Sequence, residues 1–247
     1  MNNKSISFLF LALLVTVAVF SCRKPDEIKE VADPQNNYFP LELGNYIIYN
    51  VDSTTWDDNY CVVLKRSRQM MYRVADTFTD VMGRPSYRIE TFTRRWPDTS
   101  WARHRVLYAT NTKSQTEFVE AELRYIKLVY PVTANRTWLG NGLIKSGDST
   151  LSYFGGWNYR YVNVDQPYNS GDVIYNNTVT VEQIDVAENN PETQPGSFAT
   201  RTFSKEIYAR DIGMVYREYY HWVYDPTTAT KCRRGAGVLM KAVDYNY

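Results

Sequence analysis

The chain has 247 residues, with 28 Lys and Arg against 27 Asp and Glu, two His and three Cys. A net charge near zero leaves no electrostatic footprint for nucleic acid or for an anionic membrane surface. The sequence holds no His-Glu-x-x-His, Cys-x-x-Cys, Gly-x-Ser-x-Gly or Walker pattern, so no metal site, cofactor or catalytic residue is expected from motifs.

The first element is a targeting segment. Lys4 supplies a positive start and Ile6 to Phe20 is apolar, short for a bilayer-spanning helix of roughly 20 residues. It runs directly into Ser21-Cys22. This resembles a bacterial lipobox, which implies a signal peptide at residues 1–21 and a fatty-acyl (palmitate-type) membrane anchor on Cys22; the plainer alternative is a secretory peptide with a chance cysteine. Arg23-Lys24-Pro25-Asp26-Glu27 follows. It is similar to the short signal that carries some Gram-negative lipoproteins to the cell surface, and an ordinary solvated tether would have the same composition. The expected location is the outer membrane, at the cell surface rather than on the periplasmic face. Residues 22–37 show no periodicity and read as a flexible tether.

Residues 38–247 read as one antiparallel β domain. Pro40 sets an extended opening, Gly44-Asn45 marks a turn, and Tyr46 to Val51 has the aromatic and β-branched composition of a strand. Further strand patterns follow at Tyr60–Lys65, Met71–Val81, Tyr87–Trp96, Trp101–Thr110 and Arg124–Tyr130, and then at Thr178–Val186, Phe203–Tyr208, Gly213–Tyr224 and Val238–Tyr245. Glu117–Glu122 fits a helical turn, Gly140–Val173 a long loop, and Gly235-Ala236-Gly237 a turn. Many short strands with frequent turns predict a barrel or strongly curved half-barrel, or alternatively a β-sandwich. On the strand after Gly213, Met214, Tyr216, Glu218, Tyr220 and Trp222 share one face, and Val215, Arg217, Tyr219 and His221 the other. Aromatics on both faces predict that both are at least half covered.

Three fragments, Tyr38-Phe39-Pro40-Leu41 with Gly44-Asn45 and Tyr49, Leu128-Val129-Tyr130-Pro131 with Trp138 and Gly140, and Tyr208-Ala209-Arg210-Asp211-Ile212-Gly213-Met214-Val215-Tyr216, together resemble uncharacterised Gram-negative outer-membrane lipoproteins. The resemblance implies a curved antiparallel sheet or barrel and carries no established activity.

The aromatic content, 6 Trp, 21 Tyr and 10 Phe, is the chemical signal. Tyr153, Trp157, Tyr159 and Arg160 surround Gly155-Gly156; rings there either close one end of the domain or stack on a glycan or apolar ligand, with Arg160 as polar partner. Glu117, Glu120, Glu122 and Asp57-Asp58 read as solvated faces rather than catalytic carboxylate pairs. Cys61 and Cys232 are either a disulfide or two separate buried thiols. These features predict a non-catalytic, lipid-anchored envelope protein that binds a glycan, lipid or small apolar molecule, or alternatively an accessory subunit of a surface complex that docks another envelope protein. Nucleic acid is not an expected partner.

Overall fold

A computed structural model describes residues 37–247 except Trp96, Ser146 and 148–150. The signal segment, Cys22 and the tether up to residue 36 lie outside the described residues.

Twelve strands make one sheet: β1 (Tyr46–Asp57), β2 (Val62–Thr79), β3 (Pro85–Arg94), β4 (Ala102–Asn111), β5 (Gln115–Glu120), β6 (Leu123–Val129), β7 (Thr137–Leu139), β8 (Asn158–Asn169), β9 (Ile174–Glu188), β10 (Ala199–Ala209), β11 (Gly213–Tyr224) and β12 (Arg233–Tyr245). Their order is β6-β5-β4-β3-β2-β1-β12-β11-β10-β9-β8-β7, antiparallel throughout. Strands next to each other in sequence pair except β6 and β7, and β1 pairs with β12 from Ile47↔Tyr245 to Trp56↔Gly235. The result is an up-and-down barrel, open only between β6 and β7, and not a sandwich.

A backbone bond and a side-chain bond bridge that gap. The Ile126 amide donates to the Gly140 carbonyl at 2.8 Å, and the Trp138 indole donates to the Ile126 carbonyl at 2.8 Å. Gly140 is required here, because a Cβ on it would fall within the ring of the buried Tyr159.

Residues 37–45 seal the end of the barrel at which β1 begins. Tyr38 and Leu41 are buried. Phe39 packs on Phe118 and Tyr208 with ring centroids 5.9 and 6.0 Å away, and its carbonyl accepts from Asn111. Gly44, at φ +89°, makes the turn that brings its amide to the Val74 carbonyl.

Three expectations change. Glu117–Glu122 is not helical: Gln115–Glu120 is strand β5, and Ala121 and Glu122 take positive φ in the hairpin turn to β6. The described residues hold no α-helix, only a 3-10 turn at Ser152–Phe154. The stretch after Gly140 is only partly loop, since Asn158–Asn169 is β8; the polar alternation of Asn163 and Asp165, both at positive φ in a bulged register, hid the strand. Gly235-Ala236-Gly237 lies inside β12 rather than in a turn, where a Cβ at Gly235 would collide with the β11 backbone.

Candidate functional site

The barrel interior is packed rather than open. Its centre is an ion cluster contributed by four strands. Glu206, fully buried, accepts from Lys127 at 2.6 Å, from Gln183 at 2.8 Å and from Tyr208 at 2.7 Å. Arg217 lies 3.6 Å from Glu206 and 2.8 Å from Glu120. Burial alone would raise the Glu206 carboxyl, but Lys127 and Arg217 outweigh it and hold the group below its usual range. Glu120 is lowered in the same way, burial being opposed by Arg217 and Lys127. These charges are therefore neutralised in place. A neighbouring cavity, walled by Phe39, Tyr49, Tyr72 and Phe118 and touched by Lys127 and Arg217, has a volume of about 50 Å³. That is room for ordered water and not for a sugar or lipid.

Glu117 is also not solvated. On the outer face it is 4% exposed and held by Arg84 at 2.7 Å and Arg124 at 2.6 Å. Burial opposes these contacts, yet the hydrogen bonds from Arg84, Gln115 and Arg124 bring its pKa down to about 2.

Tyr153, Trp157, Tyr159 and Arg160 do not form one site. Trp157 and Tyr159 are 3% and 1% exposed and point into the core. Their polar atoms are used internally, Trp157 to the Tyr153 carbonyl and Tyr159 to Asn141. Strand alternation turns Arg160 to the outer face, where it pairs with Glu182 at 2.6 Å. Tyr153 stacks on His221 at 4.9 Å. This cluster caps the barrel. His221, lowered by burial, bonds to Thr202. Cys61 and Cys232 are bonded, with Cα atoms 5.4 Å apart.

The arrangement suited to a ligand lies on the outer face of β1, β12 and β11. Two open recesses, of about 430 and 520 Å³, share Trp56 and Tyr220. Trp56 stands on β1 opposite Gly235 of β12, and Tyr220 on β11 opposite Gly237. Gly237 lines one recess, and the absence of a side chain there lets the rings close in: the site of its Cβ lies 3.5 Å from the Trp56 ring and 2.9 Å from Tyr220 Cβ. Tyr220 is held by Phe203 stacked at 5.3 Å and by Arg201 at 5.6 Å. Trp222 extends the aromatic wall beneath Arg233 at 4.5 Å. Polar groups line the rims. At one end are Asp52, hydrogen-bonded to Ser67, with Lys65 and Glu218; at the other are Asn189, Asn190, Arg201 and Glu192, which is paired with Arg233. Flat rings beside fixed donors and acceptors are the chemistry of a saccharide platform. The pattern Tyr216, Glu218, Tyr220, Trp222 signalled this face in the sequence; Trp56, far away in the chain, gave no such signal.

Comparison with protein-family models, curated proteins and solved structures yields no match. The structure itself defines the class, a twelve-stranded all-β antiparallel barrel with a filled interior.

Proposed function

We propose that this chain is a lipid-anchored protein of the bacterial outer membrane whose outer-face trough binds a glycan. The observation that carries the binding reading is the pair of recesses that share Trp56 and Tyr220, with carboxylate, ammonium and hydroxyl groups on one rim and amide, guanidinium and carboxylate groups on the other. The packed barrel favours a ligand on the outside, since the cavity beside the ion cluster is only about 50 Å³. The anchor reading is supported by the apolar run ending in Ser21-Cys22 and by the resemblance to Gram-negative lipoproteins.

A glycan array followed by titration of tryptophan fluorescence tests binding. Trp56→Ala should weaken an array-selected oligosaccharide by at least about tenfold, the worth of one ring contact, and leave the far-ultraviolet spectrum unchanged. Undiminished binding by that variant would remove the trough. Incorporation of a clickable fatty acid tests the anchor: Cys22→Ser should lose the label and leave the membrane fraction.

A further inference from the structure

β2 is longer than its neighbour on one side. It pairs with β1 over residues 62–73, from Asp57↔Val62 to Tyr46↔Arg73. Pairing with β3 begins only at Gln69↔Arg94. Residues 62–68 therefore present a free strand edge, with no backbone partner on the β3 side among the described residues. The edge is long for an unprotected one, and all of its residues but Arg68 are exposed. It carries no bulge against β1 and no proline. The Cys61–Cys232 bond ties the residue just before the edge to the loop before β12, which holds that end in place for a partner.

Its side chains define what fits. Val62, Leu64, Arg66 and Arg68 alternate on one face, and Val63, Lys65 and Ser67 on the other. Lys65, Arg66 and Arg68 make no ion pair among the described residues. The Arg68 Nε is buried and without a hydrogen-bond partner. His104 stands near both Arg68 and Arg105 and is lowered by burial and then by these two arginines, so the arginines carry the positive charge there. Two copies of this edge would bring like charges together, so it disfavours pairing with itself.

We propose that residues 62–68 of β2 accept an extended acidic segment of another protein, which adds to the sheet as an antiparallel or parallel strand. Backbone groups supply the affinity, Val62 and Leu64 the apolar contacts, and Lys65, Arg66 and Arg68 the selection for carboxylates. Lys65 and Ser67 also stand on the trough's rim, whereas Leu64, Arg66 and Arg68 line neither recess, so strand addition does not depend on glycan binding.

The probes are three synthetic peptides: alternating Glu-Val, alternating Lys-Val, and a block peptide with the Glu-Val composition but all acids at one end. Hydrogen–deuterium exchange of the full chain in detergent reads the contact. The Glu-Val peptide should slow exchange in residues 62–68 and bind more tightly than the other two. Arg66→Glu with Arg68→Glu should weaken it by at least about tenfold and shift preference to Lys-Val. Equal binding of the block peptide would show charge attraction without strand addition and overturn the proposal. Unchanged exchange at 62–68 with every peptide would also overturn it, leaving the cations as guards against pairing. Protection by a second copy of the chain alone, at rising protein concentration, would do the same.

Discussion

The Tyr161 hydroxyl lies 2.8 Å from the amide nitrogen of Val129 and 3.0 Å from its carbonyl oxygen. One side chain of β8 thus serves both backbone groups that a neighbouring strand would serve on β6. This contact is buried, and it stands where the barrel lacks a strand ladder. Tyr161→Phe removes the hydroxyl and leaves a buried donor and acceptor unpaired, which should cost about 1–3 kcal/mol. Gly140→Ala places a methyl group against the immobile Tyr159 ring and should cost about as much, 1–3 kcal/mol of overpacking. Urea titration followed by tryptophan fluorescence measures both. A midpoint unchanged in either variant would mean that the gap contributes nothing to closure.

The ion cluster in the barrel gives a second prediction. Lys127→Met leaves the Glu206 carboxylate buried with less compensation, and breaking such a pair should cost about 3–5 kcal/mol. Adding Glu206→Gln to that variant removes the stranded charge while keeping groups for Gln183 and Tyr208 to bond, and should recover most of the loss. Denaturant unfolding of the single and double variants measures the coupling. A loss below about 1 kcal/mol for Lys127→Met would mean that water reaches the cluster.

Strands were legible in the sequence wherever alternation was clean. β11 is an instance: the outer aromatics and the inner Val215, Arg217 and His221 separate as period-two faces require, and Gly213 takes φ +106° where the loop becomes strand. The interior charges were not legible. Glu120, Lys127, Glu206 and Arg217 sit on β5, β6, β10 and β11, and a charged residue at an inward position looks locally like a solvated one. Only the pairing of distant strands shows that each has its counter-ion. The same limit applies to Trp157 and Tyr159. A ring beside two glycines reads alike whether it meets a ligand or closes a barrel, and here Gly140 from the facing loop packs on the Tyr159 ring. The trough escaped the sequence for the converse reason, since Trp56 meets Tyr220 only across β12.

Acid should loosen the outer Arg84–Glu117–Arg124 contact. The Glu117 carboxyl is lowered from 4.5 to about 2 in the folded chain. Its contribution to stability is therefore complete above pH 4.5 and is lost as pH falls toward about 2. Glu206 and Glu120 are lowered too and act in the same direction. Stability measured by urea midpoint should fall across this window, and Glu117→Gln should flatten the fall while lowering stability at neutral pH. An identical acid slope in the variant and the parent would show that Glu117 is not among the groups responsible.

The Cys61–Cys232 bond spans a sequence separation of 171, and the chain-entropy model assigns a crosslink of that length about 5 kcal/mol as an upper figure. Its structural effect is local, however. β1 and β12 are already paired from Ile47 to Trp56, so the bond adds no new neighbour to the barrel and acts at the tip of the protruding β1–β2 hairpin. Cys61→Ala with Cys232→Ala should therefore lower the urea midpoint while preserving the β spectrum. It should also speed hydrogen exchange at residues 62–68 far more than in β3 to β6. Among the described residues those seven have a strand partner on one side only, and the crosslink is what holds their first end. Equal acceleration throughout the barrel would instead make the bond a global clamp, and two titratable thiols in the unfolded, unreduced parent would show that the bond does not form.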